Sequence, residues 1–445
     1  MTVVGGVAWV AELDGSASEI LRHRRGEMST PSIDQPAARH RLPVLVYVLA
    51  AGIFLMGTTE FMIAGLLPDV AADLGVDIAR AGLLVTAFAV GMIIGPPVMA
   101  LATLRLPVRA TLIGALAVFA AGHAVAALSD SFTVVMVSRV VTALATGTFW
   151  ATGAVVAAAV AGPGASARAL AVMSGGLSLA VVAGVPLGTF AGQFTGWRGP
   201  FWMLALLAMP AFAAVLRFTP TAARVSGAPV SVRAEVAAVR PWQVWAVLAA
   251  ITLAQAGFLG AYSFISPLLT DRAGIPASLV ALVLVGFGIG ALAGTAAGGR
   301  VGDRWPLGTI ATAITATSIL LLVLAATASQ SMVVVAVVVV LGASGLGANP
   351  VLIAQTMRFA GNGSRLASSL ATAAFNLGTA AGSALAATAL TTPLGVTGPA
   401  VLGAAITATA LVPIGVLAVI RPRSAADDTP TRPGAHTARV LAGVS

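Results

Sequence analysis

Residues 43–67 read PVLVYVLAAGIFLMGTTEFMIAGLL, an apolar run interrupted by one charged side chain, Glu60. A helix needs about 20 mainly apolar residues to cross the hydrocarbon core, so this run is long enough to span a bilayer. A charge at the bilayer centre costs about 2.5–3.5 kcal/mol on insertion scales, so an acid placed there needs a functional reason. Similar runs follow near 79–102, 108–128, 132–161, 168–192 and 199–217. A second set lies near 242–270, 275–299, 306–327, 331–357, 365–391 and 397–420. The chain therefore reads as an all-α integral membrane protein with twelve transmembrane helices.

Composition agrees with that reading. The 445 residues are 58% hydrophobic and 9% charged, where soluble chains carry about 25% charged residues. The absence of cysteine excludes disulfides, thiolate metal sites and cysteine nucleophiles. No phosphate-binding loop, metal-ligand cluster or nucleophile triad is legible, so neither an enzyme nor an ATP-driven pump is expected, and no cofactor or metal.

The net charge of +9 reports topology rather than a nucleic-acid partner. With the N-terminus inside, only Arg80, Arg198 and Arg272 fall on the outer side and Arg139 within a helix. The other arginines gather at the opposite ends and loops, which places both termini in the cytoplasm of a multi-pass cell-membrane protein. The stretch 1–42 is polar and lacks the apolar core of a signal peptide. Met1 and Met28 both remain open as the start.

Arg139 lies about two turns into its run, and Glu60 is seven residues from the same surface. The two charges are thus expected at similar depth. A carboxylate can change its protonation with its surroundings, because burial favours the neutral acid and a nearby cation favours the anion. Arginine keeps its proton, so its role would be electrostatic. Glu60 as a fixed, merely packed acid and Arg139 snorkelling to the interface are the bland alternatives.

The chain divides into a bundle at 43–217, a cytoplasmic linker at 218–241 and a second bundle at 242–420, followed by a cytoplasmic tail at 421–445. Phe88-x-x-Gly91-x-x-x-Gly95 in the second run matches Phe287-x-x-Gly290-x-x-x-Gly294 in the eighth. Small residues four apart let helix backbones approach closely, so a tight helix contact is expected in each half. Gly57-Thr58-Thr59-Glu60-Phe61 likewise matches Gly260-Ala261-Tyr262-Ser263-Phe264, which sets Ser263 opposite Glu60.

Two parallel six-helix repeats resemble the plan of the major facilitator transporters, whose substrates bind between the halves near the midplane. Gly299-Arg300-Val301-Gly302-Asp303-Arg304, read as the loop after the eighth run, looks like that superfamily's cytoplasmic G-x-x-x-D-R motif. The resemblance implies that Asp303 caps a neighbouring helix and that Gly299, Asp303 and Arg304 form a clasp, though a simple solvated loop is also open. The corresponding loop at 102–109 keeps its arginines without the acid.

Gly184-Val185-Pro186-Leu187-Gly188-Thr189 is similar to the antiporter motif of drug:proton exchangers, with the proline displaced by one and threonine at its end. Proline between glycines predicts a kinked helix packed close to its neighbour. Arg139 with Ala143 matches the fourth-helix element linked to proton transfer.

The stretches 57–68 and 81–92, with Gly196-Trp197-Arg198-x-x-Phe201-Trp202 and 373–378, resemble the actinobacterial chloramphenicol-resistance exporters. That resemblance implies drug:proton antiport driven by the proton gradient, by a monomer, with a small amphipathic drug and protons as partners. Gln255, Tyr262, Asn349, Gln355 and Asn376 are candidates for the substrate cavity, with interhelical bonding equally open for each. His123, near the end of the third run, reads as an interfacial residue. Export of sugars or metabolites is the alternative within the superfamily. A non-transporting sensor or scaffold is the alternative outside it.

Overall fold

The computed structural model describes residues 42–102, 106–162, 165–219, 232–361 and 364–420. The extension before residue 42, the tail from 421, linker residues 220–231 and residues 103–105 of the stretch compared with 299–304 lie outside the described residues. Among the described residues, twelve helices are long and apolar enough to cross a membrane. In the first half these are α1 (Val44–Asp73), α2 (Ile78–Ala102), α3 (Val108–Leu128), α4 (Phe132–Ala161), α5 (Ser166–Leu179 and Val185–Thr195, joined by a π turn at Ala180–Gly184) and α6 (Arg198–Phe218). In the second they are α7 (Trp242–Ser263), α8 (Ala277–Arg304), α9 (Pro306–Ala326), α10 (Ser331–Gly347 with Asn349–Phe359), α11 (Arg365–Ala389) and α12 (Gly398–Thr409 with Leu411–Val419).

Three boundaries differ from the sequence expectation. First, α1 continues through Pro68 to Asp73. Second, α7 stops at Ser263, because the Pro267 ring would meet the carbonyl four residues back. A short helix at Ile265–Pro267 and a π turn at Leu268–Arg272 carry the chain onward. Third, α8 runs to Arg304, so Gly299, Asp303 and Arg304 occupy its last turns rather than a loop.

Glycines set the closest helix contacts, and they do so in matching places. A methyl on Gly91 of α2 would lie 2.6 Å from Ala143 Cβ and 2.7 Å from Val140 O of α4. On α8, methyls at Gly290 and Gly294 would run into the α10 backbone at Val339 and Ala343. α1 and α5 pack through Gly184 on Thr58, Gly188 on Met62 and Gly192 on Leu66. Their counterparts α7 and α11 pack through Gly260 on Gly382 and Gly378 on Thr252. The pairings α2–α4 and α8–α10, then α1–α5 and α7–α11, repeat with a period of six helices.

The halves meet through α2 with α11 and α5 with α8. Ser383 Oγ donates to Gly82 O (3.2 Å), and Gln193 Nε2 donates to Ala277 O (2.8 Å). Leu67, Ala71, Ala81, Phe264, Ala386 and Ala387 form an apolar cluster at the same end. Deeper in the seam, Gly288 of α8 lies against the backbone of Val181 and Val182 in the α5 π turn.

Within the linker region a short helix, Val232–Ala238, delivers Glu235 to the start of α11. The Glu235 Oε2 atom accepts from Ser364 Oγ (2.8 Å) and from Leu366 N (2.9 Å). A carboxylate at a helix N-terminus satisfies orphan N–H groups and complements the helix dipole. Glu235→Ala is expected to cost about 1 kcal/mol of stability, to be checked by denaturant unfolding of the detergent-solubilised protein. A Glu235→Gln variant should recover part of the loss, since its amide oxygen still accepts.

Candidate functional site: a buried cation beside a pocket carboxylate

Arg139 enters from α4 and is 1% exposed. Its Nη1 donates to Thr59 O (3.1 Å) and to Thr59 Oγ1 (2.9 Å) on α1. The guanidinium carbon lies 4.3 Å from the centre of the Phe88 ring of α2, within cation–π range. Nε and Nη2 are buried without a hydrogen-bond partner.

Thr59 Oγ1 is also 2.7 Å from His123 Nε2, and His123 Nδ1 is 2.8 Å from Phe119 O within α3. The His123 ring packs between Phe119 and Phe201, with centroids 4.1 and 5.5 Å away. This corrects the sequence expectation for His123, which is buried within the first half against Thr59 and Phe201 and not at an interface. Position along a run gives depth, but the rotation of α3 about its axis decides whether a side chain faces lipid or core.

Glu60 follows Thr59 on α1 and is half-buried. It lines a cavity of about 20 Å³ with Phe61, Val85, Leu259, Tyr262, Ser263 and Thr379, among others. Both halves contribute, so Glu60 and its counterpart Ser263 face one space. That volume is below the about 300–1,000 Å³ usual for small-molecule sites, so the pocket is nearly closed in this state. Ion pairs among the described residues are those of Arg198 with Asp73 and Asp130. Glu60 and Arg139 are near neighbours that do not form one.

The other candidates are dispersed. Tyr262 is beside Glu60 in the pocket and stacks on Phe287, with centroids 4.6 Å apart. Asn376 Nδ2 donates to Thr372 O of its own helix (2.9 Å). Gln255 is buried where α7 meets α11, next to Gly378, and Asn349 begins the second part of α10. Gln355 is buried farther along α10. Asp303 and Arg304 are exposed on the last turn of α8, without an ion pair among the described residues. Gly184 closes the π turn, and Pro186 and Gly188 follow it, where α5 crosses α1. A wider recess between the α1–α2 and α11–α12 loops carries Asp77, whose Oδ1 accepts from Arg80 N (2.6 Å) at the start of α2.

Comparison with known proteins decides the family. Residues 49–368 match the family model described as Major Facilitator Superfamily. The chain belongs to this superfamily. It is 38% identical over 362 residues to the "Chloramphenicol resistance protein" of Streptomyces lividans, covering 80% of this chain and 92% of that one. It is 33% identical over 363 residues to the "Inner membrane transport protein YdhP" of Escherichia coli K12, covering 82% and 93%. Among solved structures, the human organic anion transporter MFSD10 aligns with a TM-score of 0.62 at 17% identity, over 84% of this chain and 98% of that one. A peptide transporter, POT, aligns with a TM-score of 0.67 at 15% identity, over 84% and 94%. The chain is therefore a multi-pass major facilitator transporter. At these identities the two solved structures speak for its fold alone.

Sequence reasoning missed Thr59, Phe88 and His123 as parts of the Arg139 site. Thr59 and Phe88 stand inside quoted motifs, yet only the crossing of α1, α2, α3 and α4 at one level shows that they share a cation.

Proposed function

We propose that this transporter exports a small amphipathic drug, chloramphenicol or a similar compound, in exchange for protons, and so confers resistance. One observation carries the reading: an ionisable carboxylate, Glu60, faces the pocket between the halves without a paired cation. The similarity to a chloramphenicol resistance protein supports the substrate class. With both termini cytoplasmic, the monomer binds drug from inside with Glu60 ionised. After rocking outward, a proton neutralises Glu60, drug leaves, and the return step releases the proton inside. Exchanging a neutral drug for one proton moves one charge inward, worth about 2.3 kcal/mol per 100 mV.

The pocket lining favours a drug over a sugar. Phe61, Ile63, Ala64, Val85 and Leu259 outnumber the hydrogen-bonding side chains Glu60, Tyr262, Ser263 and Thr379. Expression in a drug-sensitive host should raise resistance to chloramphenicol or a compound of that class, and an uncoupler should remove drug extrusion. Extrusion that survives the uncoupler would overturn proton coupling. A host no more resistant to any amphipathic drug would overturn the substrate class.

A further inference from the structure

We propose that His123 and Thr59 are positioning residues that hold the Arg139 guanidinium away from Glu60, leaving that carboxylate free to exchange protons with the pocket. The proposal rests on Glu60 as the proton carrier. Hydrogen-bond chemistry fixes the direction of the relay. The Phe119 carbonyl can only accept, so His123 Nδ1 carries the proton of their 2.8 Å bond. Nε2 of the neutral ring then accepts from the Thr59 hydroxyl at 2.7 Å. With its hydrogen used there, Thr59 Oγ1 offers lone pairs to Arg139 Nη1 at 2.9 Å. An unprotonated Nδ1 would set two acceptors face to face at Phe119 O, and a hydroxyl turned toward Nη1 would set two donors face to face.

The relay works against electrostatics. Left to Coulomb attraction, a buried guanidinium near a carboxylate would close into a bidentate pair. Instead Nη1 is spent on Thr59, and one face of the guanidinium is spent on Phe88. The result is a cation close enough to act on Glu60 but tethered to its neighbour in sequence.

Packing alone does not require this unit, because the second half fills the same level with apolar groups. Gly91 packs on Val140 as Gly290 packs on Val339, a register that carries Arg139 onto Val338 and Phe88 onto Phe287. The match of Gly57 with Gly260 carries Thr59 onto Tyr262. Tyr262, Phe287 and Val338 pack with Leu321 of α9 in one hydrophobic cluster. The repeat thus has an apolar solution at this level, and the first half departs from it.

The ionisable groups around the relay are few. Glu60 on α1, His123 on α3, Arg139 on α4 and Tyr262 on α7 lie at this level among the described residues. Asp69, Asp73, Arg80, Asp130 and Arg198 belong to the loop end of the same half.

Infrared difference spectra of the purified full-length protein against pH report the Glu60 carboxyl directly, with Glu60→Gln assigning the band. Thr59→Val keeps side-chain shape and removes the hydroxyl. His123→Phe keeps the aromatic packing and removes the acceptor. Both should free the guanidinium to close on Glu60 and move its midpoint toward acid by about one pH unit, about tenfold in proton concentration. Thr59→Ser keeps the hydroxyl and should titrate like the parent. An unmoved midpoint in both variants would overturn the relay while leaving Glu60 as the carrier. A Glu60 band that never titrates would overturn the carrier assignment itself.

A second measurement avoids disturbing the relay. Replacing His23, His40 and His436 by glutamine leaves one of the four histidines. Nitrogen-15 NMR at pH 7.5 should then show the Nδ1–H tautomer. The Nε2–H tautomer would overturn the proposal.

Discussion

Glu60→Gln is expected to abolish concentrative drug efflux and leave a folded transporter. The substitution keeps the shape of the side chain and removes its ability to lose a proton. In vesicles carrying an imposed pH gradient, drug accumulation by the variant should fall to that of protein-free vesicles. Downhill drug flux would persist at a reduced rate, because the pocket is still present and only the coupled ion is missing. Glu60 has no ion pair in this state, so the exchange breaks no salt bridge. Stability should therefore change by less than about 1 kcal/mol. That separation matters: a coupling mutant that also unfolds would say nothing about protons. Concentrative efflux at the parental level would remove Glu60 as the coupling site.

A buried, unpaired charge is costly, and for Arg139 the cost is offset in part by two hydrogen bonds to Thr59 and by the Phe88 ring. Keeping a cation near a carboxylate without closing the pair makes the protonation of Glu60 responsive to small movements. In the proposed cycle, rocking of α1 against α7 would change the exposure of Glu60 at the pocket wall. A fixed positive charge close by would then decide in which state the proton leaves.

Much of this arrangement could be read from residues alone. Two charges in apolar runs stand out because membrane insertion penalises them, and the spacing of Gly91, Gly95, Gly290 and Gly294 announces a tight helix contact in each half, whose partners the fold shows to be α4 and α10. Other features depended on rotation and on long-range crossing. His123 reads as interfacial from its place near the end of a run, while its ring turns inward onto Thr59. Gly299–Arg304 reads as a loop because it looks like the superfamily's cytoplasmic G-x-x-x-D-R motif. In the fold it continues α8, and Gly298 and Gly302 let that helix lie against Gly347 and Val351 of α10. The end of α7 is an intermediate case, since Pro267 dictates it but continuous hydropathy conceals it.

The second large effect is expected from Gly294→Val, a change that adds only apolar atoms far from any charge. A Cβ at this position would run into the Ala343 carbonyl and Cα of α10. Both are backbone, so no side chain can rotate away, and the two helices must separate along their length. Overpacking a tight core costs about 1–3 kcal/mol when side chains can yield, and a backbone collision belongs at the upper end or beyond. Against a total stability of about 5–15 kcal/mol, the variant should accumulate poorly in the membrane and elute as aggregate on size-exclusion chromatography. Gly299→Ala is the matched control five residues later on the same helix. Nothing lies within 4 Å of its added methyl, and alanine is the better helix former by about 1 kcal/mol. It should behave as the parent or slightly better, even though Gly299 opens the G-x-x-x-D-R-like stretch. Parental yield and melting for Gly294→Val would mean that α8 and α10 are farther apart than the structure places them. Since Gly288 of α8 also packs on the α5 π turn, loosening α8 would loosen the seam on which the two halves close.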